Sequence, residues 1–306
     1  MVASDGENAV SEAACFICGG KSFRPSGSDY QQCVDCGHET LLAGSRQGFI
    51  VNDPLTPDNV KSQSGLDRFK NAVLSQFDPT PPANAHWVDV GSASGKYLYQ
   101  NRHRYSHSVG LEITAEAVQF SRVSLNLNIV EDADALPQAI HVATAWHSLE
   151  HFPAAELGRL LGILNKAMNE KSRFIVSVPN AGSRQYKWFG SAYAFFDVPH
   201  HLHQFSQKSL DLLMARHGFI GVESVVSWPY NVFGYTQGLL NLLTGTHNYL
   251  YYRLKRKSLK PSLWLDLLHV PLLPLLVPTG AALAFLDSFN LTSQGVITKC
   301  YKRDSS

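Results

Sequence analysis

The chain is 306 residues long, 44% hydrophobic and 17% charged, with a formal net charge of +1. That length can bury a substantial core in one large or two modest domains, and the composition excludes both a disordered chain and a plain membrane bundle. The near-zero charge excludes a global field that would draw the protein to nucleic acid.

Residues 1–14 have neither a basic n-region nor an apolar h-region, so they are expected to be a disordered tail rather than a secretory signal. The cysteines are then expected to sit in a reducing compartment, where metal or free thiol is favoured over disulfide. Cys15-x2-Cys18 and Cys33-x2-Cys36 form two knuckles fourteen residues apart, each followed by a glycine, Gly19 and Gly37. Two such turns complete a tetrahedron of thiolates around Zn²⁺, and a site filled by four cysteines is closed, hence structural. Residues 15–40 are thus read as a small zinc-ribbon-like segment. Cys300 lies in a strand-like run and reads as an inert buried thiol.

A polar connector follows over 41–80, with a helical period at 64–77. From 81 to 228 strand-like runs alternate with helical patterns. The strands are expected at 86–90, 108–113, 127–131, 141–146, 173–179 and 218–228, and the helices from 96 to about 105 and at 114–125, 154–169 and 207–217. This alternation predicts an α/β fold with a mostly parallel sheet covered on both faces. Residues 293–306 supply a last strand at 294–303.

Between those last two strands lies an insertion, 229–292. It has five cations (Arg253, Lys255, Arg256, Lys257 and Lys260) and then an uncharged run from Leu267 to Leu286. Pro271, Pro274 and Pro278 disfavour an uninterrupted spanning helix. Two readings remain: a pair of short helices covering the end of the sheet, or an apolar and basic patch over 251–287 at a membrane surface.

The chemistry concentrates at strand ends. VDVGSASG (88–95) places Asp89 before a turn of small residues, Gly91, Ser92, Ala93, Ser94 and Gly95, and matches neither G-x-G-x-x-G nor a P-loop. Glu112 ends the second strand, where an acid can accept both ribose hydroxyls of an adenosine, and Asp132 follows the third. One strand-terminal acid is usually a helix cap, but three in order describe a nucleoside cradle.

DVGSASG, LEI, EDADALP, AWHSLEHF and SVPN together resemble the successive motifs of class I S-adenosylmethionine-dependent methyltransferases. The resemblance is to a type 23-like subgroup with an N-terminal zinc-binding segment and a D-x-P-x-H-x-x-x-F-S tail. It implies a Rossmann-like seven-stranded sheet with the last strand antiparallel, and S-adenosylmethionine and Zn²⁺ as cofactors. It also implies that Asp89, Gly91 and Gly95, with Ser92 and Ala93, hold the methionine part, Glu112 the ribose, and Asp132 with Ala133 the adenine, and it sets His147 beside the cofactor. Where the family often has glycine, this chain has Ala93, which suits the turn only at negative φ.

Methyl transfer to oxygen or nitrogen often needs a proton removed, and two histidine clusters offer a base. His147, Glu150 and His151 would share a face of a helical turn after the fourth strand. In DVPHHLHQFS (197–206), His200 and His203 are i,i+3 and could face one way, with His201 turned elsewhere. Glu150, His151, His200 and His203 are the catalytic candidates, as a base or as a wall of the acceptor pocket. The alternatives are histidines that merely cap helices, and a divalent metal held by His147, Glu150 and His151 with His200, His201 or His203. The Glu-x-x-Glu-His pattern with which some other methyltransferases hold a metal is not met, because His147 stands where its first Glu would.

The sequence therefore describes a cytoplasmic methyltransferase, peripheral to the membrane in the sharper reading of 251–287, with a small-molecule, glycan or lipid-linked acceptor. A nucleic-acid binder gripping through the zinc segment is disfavoured, since Lys21 and Arg24 there are opposed by Asp29, Asp35 and Glu39. A catalytically silent docking protein is disfavoured by the three intact acids.

Overall fold

The computed structural model describes residues 14–42, 54–256 and 262–305. The expected N-terminal tail (except Ala14), part of the connector, and Lys257 and Lys260 lie outside the described residues. In chain order the zinc segment contributes β1 (Phe23–Ser26), β2 (Tyr30–Cys33) and β3 (Glu39–Leu41), and the connector α1 (Pro57–Lys61) and α2 (Gly65–Phe77). The core continues with β4 (His86–Val90), α3 (Lys96–Asn101), β5 (His107–Leu111), α4 (Ala115–Leu125), β6 (Ile129–Val130), β7 (Ile140–Trp146), α5 (Ala154–Ala167), β8 (Met168–Pro179) and α6 (Arg184–Phe189). It closes with β9 (His203–Gln204), α7 (Gln207–Arg216), β10 (Phe219–Val225), α8 (Trp228–Thr244), α9 (Tyr249–Arg256), α10 (Leu263–His269), α11 (Leu273–Ser288) and β11 (Val296–Arg303).

The main sheet has seven strands in the order β10-β11-β8-β7-β4-β5-β6. β4 pairs in parallel with β5 and β7, and β7 with β8, whereas β11 runs antiparallel to both β8 and β10. The central strands are apolar on both faces, as a sheet covered by helices on each side requires; in β4, Trp87 and Val88 are fully buried. α5 shows why a helix covers such a face: Leu157, Leu160, Leu161 and Leu164 repeat at three- and four-residue steps, and all are buried. α2 begins with a reciprocal cap in which Ser64 and Asp67 bond each other's backbone N–H.

A second sheet, β1-β2-β3-β9, was not foreseen as such. Its fourth strand comes from the histidine stretch, with Thr40 opposite His203 and Glu39 opposite Gln204. The zinc segment is therefore joined to the core rather than set apart from it. Cys15, Ile17, Cys33 and Cys36 are buried in the same cluster as Phe205, Leu210 and Leu213.

The described residues of the insertion form four helices, α8 to α11, with α10 and α11 taking up the apolar run for which a pair of short helices or a membrane-surface patch was expected. The prolines also interrupt less than expected. Pro271 falls in a 3-10 turn, Pro274 in the first turn of α11, where a missing N–H removes no bond, and Pro278 inside α11. Helix-type backbone runs from Leu263 to Ser288, 26 residues, long and apolar enough to cross a membrane. α11 packs on α8 through a buried pair, with the Tyr235 hydroxyl donating to Asp287 Oδ2 at 2.5 Å and Arg184 3.0 Å from Oδ1.

The helices approach closely at Gly280, where a Cβ would lie 2.5 Å from Thr236 Oγ1 and 3.1 Å from the Val232 carbonyl oxygen. Gly280→Val is therefore expected to lower stability by about 1–3 kcal/mol through overpacking, read as a lower urea midpoint. An unchanged midpoint would show that the helices are not in this contact.

Candidate functional site

The carboxyl ends of β4, β5 and β7 meet at the turn after β4. Gly91, Ala93 and Gly95 all take positive φ, at 69°, 47° and 70°. Ala93 thus adopts the left-handed conformation that was expected to exclude it, at a cost of about 1–2 kcal/mol. A carboxylate holds it there: the Ala93 N–H donates to Glu112 Oε2 at 2.8 Å, while Ile113 and Thr114 N–H donate to Oε1 at 2.9 and 2.8 Å. Glu112 thereby ties the first turn to the second. Gly91 and Ser92 N–H both donate to the Leu111 carbonyl. A Cβ on Gly91 would lie 2.5 Å from the Ser148 Cβ, so this turn also closes against the one after β7.

Asp89 is buried beneath the turn. Its Oδ1 accepts from Thr144 Oγ1 at 2.7 Å, and that hydroxyl in turn accepts from Trp87 Nε1 at 3.0 Å. Burial pushes the Asp89 carboxyl up to about 7, against the lowering effect of the Thr144 hydrogen bond. Around the turn the buried hydroxyls of Ser92, Ser94 and Ser148 have no hydrogen-bond partner. Unpaired buried hydroxyls beside a turn with no room for a Cβ fit a polar cofactor that would complete them.

Asp132 caps the following turn by accepting from Asp134 N–H at 3.0 Å, and it pairs with Arg159 at 2.9 Å. These two contacts hold its carboxyl below the usual range. Ala133 beside it is buried. Asp89, Glu112 and Asp132 end successive strands of one sheet edge, as their spacing implied.

The histidines sit beyond Ser148. His147 takes φ 52°, donates its backbone N–H to the Ser177 carbonyl, and packs its ring against Tyr230 and Phe195 at 4.8 and 5.9 Å between centroids. Glu150 lies in a 3-10 turn, Leu149–His151, with 0% exposure. Neither of its carboxylate oxygens has a hydrogen bond; His147 Nδ1 stands 3.5 Å from Oε1. His151 Nδ1 donates to the His200 carbonyl at 2.9 Å, and its ring meets that of His201 at 4.7 Å. Burial, helped by the neighbouring imidazoles, holds His201 well below the usual histidine range, so it is neutral.

The expected pairing of His200 with His203 does not occur, because His200 ends a turn, its N–H donating to the Asp197 carbonyl, and His203 already lies in a strand. His203 lies in β9, with Nε2 donating to the Phe152 carbonyl at 3.0 Å and Nδ1 3.2 Å from His38 Nε2. Both nitrogens serve the join between zinc segment and core. His200 points elsewhere, with Nδ1 3.1 Å from Asp197 Oδ1 and Nε2 buried without a partner. His201, expected to turn away, is the histidine that joins Glu150 and His151. No local spacing signals His201 or His38, since their partners lie far off in sequence.

The four cysteines gather as their spacing implied. Cys15 and Cys36 sulfurs are 3.7 Å apart and Cys18 and Cys33 sulfurs 3.5 Å. A tetrahedron with Zn–S near 2.3 Å needs sulfurs about 3.8 Å apart, so this set can hold Zn²⁺. Gly20 N–H donates to the Cys18 sulfur at 3.4 Å. From this segment the Tyr30 hydroxyl donates to the His201 carbonyl at 2.8 Å, and Leu41 N–H donates to the Leu202 carbonyl at 2.9 Å.

Residues 63–224 match the model of a family described as a methyltransferase domain. No curated protein sequence matches the chain. Among solved structures, a protein assigned as a sarcosine dimethylglycine methyltransferase from Galdieria sulphuraria is similar in fold, with a TM-score of 0.51 at 8% identity over 84% of this chain and 94% of that one. An S-adenosylmethionine-dependent methyltransferase from Archaeoglobus fulgidus gives 0.45 at 17% identity, over 78% and 94%. Phosphoethanolamine N-methyltransferase 2 from Haemonchus contortus, in complex with S-adenosyl-L-methionine, gives 0.48 at 13% identity, over 78% and 53%.

The raised Asp89 carboxyl fixes a pH dependence. Its folded value near 7 lies above the unfolded value of about 3.9. Folding is therefore unhindered below pH ~4 and loses roughly 1.4 kcal/mol per pH unit as pH rises towards 7, with no further loss above. Asp89→Asn, which keeps the Oδ1 acceptor, is expected to match the wild type at pH 4 and to be the more stable by a few kcal/mol at pH 8. Urea unfolding of the ligand-free proteins at several pH values checks this.

Proposed function

The chain belongs to the methyltransferase-domain family, and from that premise we propose that it transfers a methyl group from S-adenosylmethionine to a small-molecule, glycan or lipid-linked acceptor. The observation that carries the reading is the Glu112 carboxylate, locked by three backbone N–H donors across the turns after β4 and β5. When bound, S-adenosylmethionine supplies a sulfonium methyl for in-line displacement, so the protein's work is positioning and proton handling.

In this reading Asp89, with Gly91, Ser92, Ala93 and Gly95, receives the methionine end. The remaining acceptor capacity of Glu112 takes the ribose hydroxyls, and Asp132 with Ala133 faces the adenine. His147 stands at the end of β7, within one residue of Ser148, which touches that turn. His200 has the makings of the proton acceptor: Asp197 orients Nδ1, and Nε2 has no partner. His203 is a positioning residue, and Glu150 and His151 belong to the wall of the acceptor pocket.

The insertion supports a lipid-linked acceptor over a freely diffusing one. Leu263, Trp264, Leu267, Leu275 and Phe285 are each more than half exposed along α10 and α11, Trp264 at 82%. Arg253 on the adjoining α9 stands 3.8 Å from Asp266. An exposed apolar face beside a basic segment fits in-plane contact with an anionic membrane, which would put the protein at the cytoplasmic face, where free cysteines persist. A nucleic-acid grip is not supported: in residues 14–42 the fixed cations are Lys21 and Arg24.

Glu112→Ala is expected to weaken S-adenosylmethionine binding about 10- to 100-fold in calorimetry, the loss of hydrogen bonds to a charged group. Undiminished affinity in both Glu112→Ala and Asp89→Ala would remove the reading. Separately, the protein is expected to float with anionic liposomes, and Leu267→Glu with Leu275→Glu should abolish flotation. Equal flotation of both proteins, or none by the wild type, would end the membrane assignment.

A further inference from the structure

We propose that Glu150, His151 and His201 form a second metal site, one that takes a divalent first-row transition cation and is separate from the four-cysteine site. One ligand atom of each lies within 4.8 Å of the others, a spread that a single ion can bridge. The carboxylate of Glu150 is wholly buried and neither oxygen accepts a hydrogen bond, while the Nδ1 of buried His201 also has no partner. Burying such groups costs desolvation with nothing returned, unless something outside the protein joins them. A proton on Glu150 does not answer this, because His201 Nδ1 and the second oxygen would still lack partners. A cation answers all of them at once.

The donor geometry is prepared for one. His151 donates its Nδ1 proton to the His200 carbonyl, which fixes the orientation of its ring. The Tyr30 hydroxyl holds the His201 carbonyl, and Leu202 N–H donates to the Glu150 carbonyl at 2.8 Å, so both chains that carry the donors are fixed. His147 stands 3.5 Å from Glu150 Oε1, within reach as a further donor or as a support for the carboxylate. Two imidazoles and one carboxylate suit Mn²⁺, Fe²⁺, Co²⁺, Ni²⁺ or Zn²⁺; Mg²⁺ and Ca²⁺ prefer an all-oxygen set.

Three protein donors leave positions open, unlike the closed thiolate set. Ser148, two residues before Glu150, abuts the turn that receives the cofactor. Resting on the proposed function, the open positions would take an oxygen of the acceptor (a hydroxyl or phosphate) and hold it beside the methyl donor.

The test uses the full chain with its four-cysteine site loaded with Zn²⁺, dialysed and titrated with Mn²⁺ alone, with free Mn²⁺ read by electron paramagnetic resonance. The wild type is expected to take up one equivalent of Mn²⁺ beyond its zinc and to unfold at a higher temperature with it. Glu150→Gln and His201→Ala are each expected to weaken that uptake more than about 100-fold, since even losses behind the ligands cost 10–100-fold, while zinc content stays at one per chain. A wild type that takes up no Mn²⁺, or variants that retain zinc and bind Mn²⁺ as the wild type does, would overturn the site. S-adenosylmethionine calorimetry on the same proteins separates the two readings: Mn²⁺ uptake with no cofactor binding leaves the metal site and removes the methyltransferase reading, and the converse removes the metal site alone.

Discussion

The pairing of β3 with β9 is the constraint on which the rest of the site depends. Two short strands exchange few hydrogen bonds, yet they fix the one stretch that carries three histidines. The zinc segment is too small to bury a core of its own. It obtains one by sharing: its cysteines pack into the same cluster as Phe205, Leu210 and Leu213, and a metal held by them would replace the apolar contacts that a fragment of this size lacks. The Tyr30 hydroxyl, anchored by Gln204 Nε2 at 3.1 Å, then sets the carbonyl of His201. A residue of the four-cysteine segment thus holds the backbone of a histidine 171 positions later in sequence.

The His38–His203 contact is part of this join. Burial, with His203 alongside, holds His38 well below the usual histidine range, so a neutral His38 ring shares a hydrogen bond with His203. A hydrogen bond between imidazoles needs one donor and one acceptor; His203 donates from Nε2 to the Phe152 carbonyl, which leaves its Nδ1 to accept from His38 Nε2. The same residue type does different work within four positions: His200 is turned to Asp197, His201 to Glu150 and His151, and His203 to the zinc segment.

On the other side of the site, Glu112 holds a turn together before it holds any ligand. Ala93 can keep its left-handed conformation because its N–H is fastened to a carboxylate that two further N–H groups also grip. The cradle is thus organised before the cofactor arrives, the condition under which positioning lowers a barrier. The antiparallel β11, slotted between β8 and β10, makes room for the insertion. Because β10 and β11 are neighbours in the sheet, the chain can leave after one and return into the other, so the apolar helices project from an edge without breaking the parallel core.

Much of this was legible in the chain. Apolar runs of five to seven residues, alternating with helical periods, are local signals, and they predicted the strands that became β4, β5, β7 and β11 because burial on both sides requires such runs. Cysteine spacing and acids at strand ends are local too, and they foretold the gathering of the four thiols and the three acids along one sheet edge. The failures around the site were of one kind. Ala93 at positive φ, the joining of β9 to β3 and the separation of His200 from His203 each depend on contacts between residues apart in sequence, as does the choice of His201, among the three histidines offered, to meet Glu150 and His151. A helical reading of His200–His203 was the natural local choice, but His200 ends a turn and His203 enters a strand through pairing with Thr40, some 160 residues earlier in the numbering. The sequence by itself determined the sheet, its helices, the thiolate set and the acids of the cradle, because periodicity and spacing act within a few residues. Which histidine faces the site and which one bolts the zinc segment in place was decided only by tertiary structure, because an imidazole takes its role from whichever partner the fold brings to each of its two nitrogens.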